Sequence, residues 1–286
     1  VTLLADPPYR VQARPALGHP GRVMAPILIE DARDPRVAAY TSIRERDLTG
    51  RGDRFIVEGK VTLEVLARRS RFEVDSVFIA EHRLGAVEDT LALLPPETPI
   101  YTASSDIFDE IAGFPVHRGV LACARKGEAV PVEALAAEPR LVVGIGLSNH
   151  DNVGALFRNA AAFGADGIIL DAQSCDPLYR KAIRVSAGTA LWLPFSHGGE
   201  AGAIVAALEQ ADQTLWALTP RADAPSLWDM DVPEWVSLIV GAEGPGLPET
   251  ILSACQPVRI PMAAGVDSLN VATAAAIALA RISAED

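Results

Sequence analysis

The chain contains no apolar stretch approaching the ~18 residues that a membrane-spanning helix requires, so no membrane partner is expected. Residues 1–10 lack a basic start followed by an apolar run, and no secretory leader is expected. Cysteine is scarce. Cys123, Cys175 and Cys255 are widely spaced, with no CxxC pair and no metal-ligand spacing. They read as buried, reduced thiols in a cytoplasmic protein, and no metal is expected. Positive charge is lacking too. The net charge of −12 argues against a nonspecific nucleic-acid binder, which is usually basic. No internal repeat recurs at a fixed period, which excludes a repeat array.

What is present is a globular composition. At 286 residues, with 49% hydrophobic and 22% charged residues, the chain can hold one large domain or two modest ones. Charge is uneven. Residues 33–71 hold ten Lys/Arg against six Asp/Glu, a net of +4, which leaves −16 for the rest. A locally basic segment on an acidic protein suits a phosphate contact at a defined place. It suits a solvated helix-and-loop surface equally well.

Residues 1–24 are rich in Pro, Gly and Arg without a period, and read as a flexible tail. Met24, followed at once by an apolar run, is a candidate native start. From 25 to 128, strand patterns at 55–58, 74–80, 100–101 and 119–125 alternate with helical ones at 60–69, 86–94 and 104–111. Residues 34–40 and 44–48 look helical or irregular. This describes a small α/β domain. Residues 129–139, Ala- and Glu-rich and bounded by prolines, read as a linker. A second alternation fills 140–286. Its strands are expected at 141–145, 167–170, 190–194, 214–218, 236–240 and 258–260. Its helices are expected at 153–163, 177–185, 201–210, 248–255 and 271–281. Such alternation implies a parallel sheet covered on both faces. Ligands on these sheets bind beyond the carboxyl ends of the strands.

Three polar loops fall at those ends, at 152–158, 241–246 and 268–270. Asn152 stands where a strand hands over to a helix and can cap that helix. Arg158 follows in an otherwise apolar, Ala-rich stretch, which favours a buried, paired or interfacial guanidinium over an ordinary surface one. Arg180 and Arg184 share a helix face at i, i+4 and can grip a phosphate or form surface salt bridges. Between Gly241 and Pro248 stand three glycines and two prolines, a backbone suited to close approach to a flat ligand, with Glu243 its only ionisable group. Ser268 and Asn270 precede the last helix, and either can cap it. Gly144-Ile-Gly146 with Asp171 hints at a dinucleotide fingerprint, but the third glycine is missing, because Asn149 stands there.

Taken together, these segments resemble the SpoU/TrmH family of RNA 2′-O-ribose methyltransferases, within the SPOUT superfamily. The likeness lies in Asn152-Val-Gly154 through Arg158 to Gly164, in Lys181 to Gly188, in Gly241 to Leu247, in Ile260-Pro-Met262 and in Ser268-Leu-Asn270. It covers roughly 140–283 and keeps every motif in order. Phe55 to Lys60 and Arg118 to Ala122 are similar, more loosely, to the family's ribosomal-protein-like substrate domain. One departure is Asn149-His-Asp151 ahead of the first motif, where many members have Asp-Pro.

The resemblance implies an α/β chain with a trefoil-knotted parallel-sheet SPOUT methyltransferase domain at 140–286, preceded by an RNA substrate-binding domain at 25–128. It also implies a homodimer with sites at the interface. S-adenosylmethionine would be held largely by backbone groups, in a pocket that by position contains Leu218, Gly241, Gly246, Ile260, Met262 and Leu269. The expected partner is RNA, ribosomal or transfer, the separate N-terminal domain favouring ribosomal RNA. Arg46, Arg51, Arg54, Lys60, Arg180 and Arg184 are the candidate RNA contacts.

The implied reaction is attack of a ribose 2′-oxygen on a sulfonium methyl. That methyl is already activated by positive charge, so no metal is needed. Arg158 of one subunit is expected to reach a ribose bound at the other, with Asn152, Glu243, Ser268 and Asn270 orienting the groups. The family's arginine is often assigned as the general base. A guanidinium keeps its proton at neutral pH, so we read Arg158 as holding phosphate and stabilising alkoxide charge. The alternative function is a noncatalytic, cofactor-binding RNA-binding or ribosome-assembly factor.

Overall fold

The computed structural model describes residues 25–41, 53–115 and 118–284. The expected tail at 1–24, the candidate start Met24, the helical reading of 44–48, and Arg46 and Arg51 lie outside these described residues. The chain divides into two compact units. Unit 1 is Val1–Glu128 with Leu178–Trp192, and unit 2 is Ala129–Pro177 with Leu193–Asp286.

Unit 1 is built on β1 (Ile27–Leu28), β2 (Arg54–Glu58), α1 (Lys60–Arg69), β3 (Val74–Ala80), α2 (Glu88–Leu91), β4 (Ile100–Ala103), α3 (Ser105–Ala112) and β5 (Val120–Arg125). Its sheet has the order β1-β4-β3-β5-β2, with β5 antiparallel to both neighbours. The helix α1 starts at Gly59, whose φ of 101° is open to glycine, and Thr62 Oγ1 donates to the carbonyls of Glu58 and Gly59. Its apolar face buries Leu63, Leu66 and Ala67. The helix α3 is capped by Ser104 and stopped by Gly113 in the left-handed conformation. It lays Phe108 on Phe78, with ring centroids 4.4 Å apart. Tyr40 is fully buried in the same core and satisfies its hydroxyl against Ser76 Oγ at 2.8 Å.

Unit 2 continues with α4 (Val132–Ala136), β6 (Arg140–Ile145), α5 (His150–Ala162) and β7 (Gly167–Leu170). After α6 (Arg180–Val185) come β8 (Phe195–His197), α7 (Ala201–Gln210), β9 (Thr214–Leu218), β10 (Val236–Gly241), α8 (Glu249–Ala254), β11 (Gln256–Val258) and α9 (Val271–Ser283). Its six strands are all parallel, in the order β11-β9-β10-β6-β7-β8. Val142, Val143, Ile168, Ile169, Leu238 and Ile239 are fully buried, as continuous apolar strands covered on both faces must be. From β6 the chain steps outward through β7 and β8, then returns on the far side of β6 through β9 and β10. The order therefore reverses between β6 and β10, and a crevice opens beyond their carboxyl ends.

Four expectations need correction. The strand expected at 190–194 is a 3-10 turn, Thr189–Leu191, and the strand begins beyond Pro194, which has no N–H to give a ladder. The helix expected at 86–94 is shorter, with a 3-10 turn over Glu81–Ala86 and α2 covering Glu88–Leu91. Residues 129–139 are not a free linker. There α4 buries Leu135 and Ala136, and Gln213 Nε2 donates to Ala136 O and Glu138 O at 3.1 and 2.7 Å. The segment Leu178–Trp192, expected within the C-terminal domain, groups with unit 1 because α6 packs on β2. Among the described residues no helix is long and apolar enough to cross a membrane, and no group of His, Cys, Asp or Glu is placed to hold a metal.

Candidate active site beyond the strand ends of unit 2

The turn after β10 folds back onto its own strand. A Cβ on Gly241 would lie 2.5 Å from both the Gly246 carbonyl carbon and the Leu247 nitrogen, so only glycine fits there. Gly246 N donates to Ala242 O at 3.0 Å, and Gly244 and Gly246 take φ of 89° and 71°. The turn leaves Glu243 exposed at its tip.

The loop after β6 is held from beneath. Asp171, 2% exposed, accepts through Oδ1 from Gly146 N at 2.9 Å, Ser174 N at 3.0 Å and Ser174 Oγ at 2.6 Å. Leu147 N donates to Ser174 Oγ at 3.0 Å. The acidic residue of the failed dinucleotide pattern thus braces a loop. Asn149, rather than Asn152, caps α5, accepting from Asp151 N at 2.9 Å. Asn152 is thereby freed from capping and buried at 6% exposure in the first turn of the helix.

Asn270 joins the motifs. Its Oδ1 accepts from Ala272 N and Thr273 N and so caps α9. Its Nδ2 donates to Asn152 Oδ1 at 2.9 Å and to Glu243 Oε1 at 2.8 Å. An amide offers both acceptor and donors, so one residue can cap a helix and tie two other loops together.

Beside this hub lies a cleft of about 390 Å³, within the range of small-molecule sites. Leu218, Gly241, Gly246, Ile260, Met262 and Leu269 all line it, as do Glu243, Ser268 and Asn270. Among the lining residues that the sequence did not single out are Thr219, Pro220, Ala242, Val271 and Ala274. The signal for the first two was a Thr-Pro pair directly after a strand. Asn159 was also missed; its Nδ2 donates to Ala272 O at 2.8 Å and ties α5 to α9.

The remaining sequence-predicted residues lie elsewhere. Arg158 is exposed on α5 and is not among the cleft-lining residues. Among the described residues it is neither buried nor paired, and its surroundings differ from those of the other cations of unit 2. That unit holds 5 Lys/Arg against 18 Asp/Glu, a net of −13. Arg221 pairs with Glu249, Arg259 donates to Ala224 O, Arg281 donates to Met230 O, and Arg140 is also engaged. Arg158 alone of the five has no partner among the described residues. Arg180 and Arg184 both turn to the buried Glu58. Arg54 pairs with Asp75 at 2.5 Å, and Lys60 is exposed at the start of α1.

Comparison with known proteins agrees with this geometry. The SpoU rRNA Methylase family profile matches residues 139–280. An uncharacterized tRNA/rRNA methyltransferase of Mycobacterium bovis is 37% identical over 257 residues, covering 87% of this chain and 88% of its own. A crystal structure of an RNA 2′-O ribose methyltransferase superposes with a TM-score of 0.71 at 26% identity, over 90% of this chain and 98% of that one. An AdoMet-bound rRNA methyltransferase of Sinorhizobium meliloti shares the fold, with a TM-score of 0.74 at 22% identity over 93% of this chain and 99% of that one. A glycine-walled cleft and an amide hub at the carboxyl ends of an all-parallel sheet are thus found in a chain that belongs to the SpoU rRNA Methylase family.

Proposed function

We propose that this protein transfers a methyl group from S-adenosylmethionine to a ribose 2′-hydroxyl of ribosomal or transfer RNA, acting as a homodimer with a trefoil-knotted C-terminal domain. The observation that carries the reading is Asn270, which donates to both Asn152 and Glu243 on the rim of the cleft. The residues present fit the cofactor. Gly241, Gly244 and Gly246 line the cleft without side chains, and apolar Leu218, Ile260 and Leu269 would wall a flat adenine. When bound, S-adenosylmethionine supplies a methyl group already activated by the sulfonium charge.

The protein's own task is to orient the hydroxyl, exclude water and stabilise charge on the attacking oxygen. Glu243, Ser268 and Asn270 orient groups at the cleft mouth, and Asn152 holds Asn270 from behind. Arg158 stands outside the lining of its own cleft and is unpartnered among the described residues, which supports its delivery to the site of a second protomer. There a guanidinium binds the target phosphate and stabilises the developing alkoxide.

Isothermal calorimetry with S-adenosylhomocysteine and methyl incorporation into RNA from a strain lacking the gene test this together. Arg158→Ala is expected to bind S-adenosylhomocysteine normally and to lose methyl transfer. Its residual rate is expected to keep the wild-type pH dependence; loss of the basic limb would assign the base role to Arg158. A wild-type protein that is strictly monomeric, or that has no affinity for S-adenosylhomocysteine, refutes the proposal. Binding without methyl incorporation would favour a noncatalytic RNA-binding factor.

A further inference from the structure

The cleft of unit 2 opens where two paired strands part. The ladder between β9 and β10 ends at Ala217 and Ile239. Beyond it, Leu218 pairs with Val258 of β11, and Thr219 N donates to Val258 O at 3.0 Å. Val240 and Gly241 pair instead with Gly144 and Ile145 of β6. Leu218 and Thr219 therefore line one flank of the split, and Val240 and Gly241 the other. Each flank is hydrogen-bonded to its outer neighbour, and neither of those ladders sets the width between the flanks.

A side-chain tie spans the split farther out. Arg221 follows Thr219 and Pro220, which line the cleft, and its backbone N donates to Thr219 Oγ1 at 3.4 Å. Glu249 opens α8, three residues after Gly246, on the chain that leaves the glycine turn. Arg221 Nη1 donates to Glu249 Oε1 at 3.3 Å, and Arg221 Nη2 donates to Glu249 Oε2, so guanidinium and carboxylate meet as a two-pronged fork. A planar fork fixes orientation as well as distance, which a point charge does not. On its own side α8 is anchored by the buried Ile251 and Leu252. Beside the fork lies a hollow of about 100 Å³, with Asp223, Ala224, Leu252 and Pro257 among its walls. The two elements thus pack loosely around the hollow, and the fork bridges them.

We propose that Arg221 and Glu249 are a positioning pair that straps the β9 flank of the cleft to the β10 flank, and so sets how long S-adenosylmethionine and its demethylated product stay bound. The inference rests on the cofactor reading of the cleft and adds a device that governs exchange. Neither side chain is among the cleft-lining residues, so the pair acts through Thr219, Pro220 and the glycine turn. Its side chains are 48% and 65% exposed. An exposed pair holds weakly and is screened by salt, so the strap slows release without locking the ligand in. Holding the flanks at the spacing the ligand needs is preorganisation, and its loss shows mainly in the dissociation rate.

The test is surface plasmon resonance on the immobilised full-length protein with S-adenosylhomocysteine as probe. Arg221→Ala and Glu249→Ala are each expected to speed release about 3- to 5-fold, the scale of one exposed ion pair, with little change in the association rate. The double variant is expected to be no faster than either single one, because the two side chains act as a unit. Arg221→Lys keeps the charge without the fork and should recover part of the residence time. Raising salt from roughly 50 to 500 mM should speed release from the wild type and leave the double variant unchanged. S-adenosylhomocysteine has no net charge at neutral pH, so that salt effect reports on the protein. Urea midpoints are expected to stay at the wild-type value, which excludes misfolding. Arg68→Ala breaks a comparably exposed pair in unit 1, with Glu64, and should not alter release. A wild type that binds the probe, with variants that release it at the same rate or with single effects that add in the double variant, overturns the strap and leaves the cofactor site standing. A wild type with no affinity for the probe overturns the cofactor reading and the strap with it.

Discussion

Asn270 and Asn152, 118 residues apart in the chain, are joined by a 2.9 Å hydrogen bond in which the Asn270 amide donates to Asn152 Oδ1. The same side chain caps α9 through its oxygen, so its stability role and its positioning role are carried by different atoms. Asn270→Ser separates them. Serine keeps a capping oxygen but has no second donor to reach Asn152 and Glu243. We expect a stability loss below about 1 kcal/mol in urea unfolding and a fall in kcat on the order of 100-fold, the scale of a misplaced orienting group. Activity within threefold of wild type would mean that the hub does not matter for transfer.

Gly241 and Gly244 lie three residues apart and differ in kind. A Cβ at Gly241 would strike the backbone of Gly246 and Leu247, which cannot swing aside, whereas a Cβ at Gly244 meets nothing within 4 Å. Gly241→Ala should cost roughly 1–3 kcal/mol through overpacking and close the cleft to S-adenosylhomocysteine. Gly244→Ala should cost only the strain of its positive φ, about 1 kcal/mol, and leave binding intact. Calorimetry on both variants decides; equal affinities would show that the turn can relax.

The pattern of the sequence reached some of this architecture and stopped at identifiable places. The bounds of α1, β3, β7, α7 and β9 follow directly from apolar runs closed by Gly, Ser or polar residues, because those signals are local. Strand order and the grouping of Leu178–Trp192 with unit 1 depend on pairing across many residues, and no local period encodes them. Arg180 and Arg184 looked like a phosphate grip because the carboxylate they face, Glu58, precedes Arg180 by 122 residues. At the site, the glycine turn and Asn270 were legible from composition. The choice of Asn149 over Asn152 as helix cap was not, since both residue types cap well and only the fold buries one of them.

Glu58 is 6% exposed and receives two guanidinium groups, Arg180 within ion-pair contact and Arg184 at 3.7 Å. Phe114 backs Arg180, with its ring centroid 5.0 Å from the guanidinium carbon. Removing one partner of a buried pair strands the other charge, so Glu58→Gln should cost about 3–5 kcal/mol. Replacing both, as Glu58→Gln/Arg180→Met, should recover part of that loss. A double-mutant cycle on urea midpoints measures the coupling. A coupling near zero would mean that the pair does not anchor α6 to β2.

Arg54 and Arg125 stand directly opposite each other on β2 and β5, an arrangement of like charges that weakens a strand pair. Asp75, on β3, relieves it by accepting Arg54 Nε on one oxygen and Arg125 Nε on the other, each at 2.5 Å. Burial acts to raise the Asp75 carboxyl, and the two arginine hydrogen bonds more than offset it, so the group is held below its usual value of 3.8. A carboxylate depressed in the folded state stabilises above its unfolded pKa, and that contribution disappears as pH falls through the lower folded value. The stability difference between wild type and Asp75→Asn should therefore be constant above about pH 5 and shrink steadily on acidification below pH 4. Because both arginines are about half exposed, the plateau should be modest, roughly 1 kcal/mol. High salt should reduce it further. Urea unfolding of both proteins from pH 7 to pH 2 measures the curve. A difference that grows on acidification would show that Asp75 is not held ionised by its two arginines.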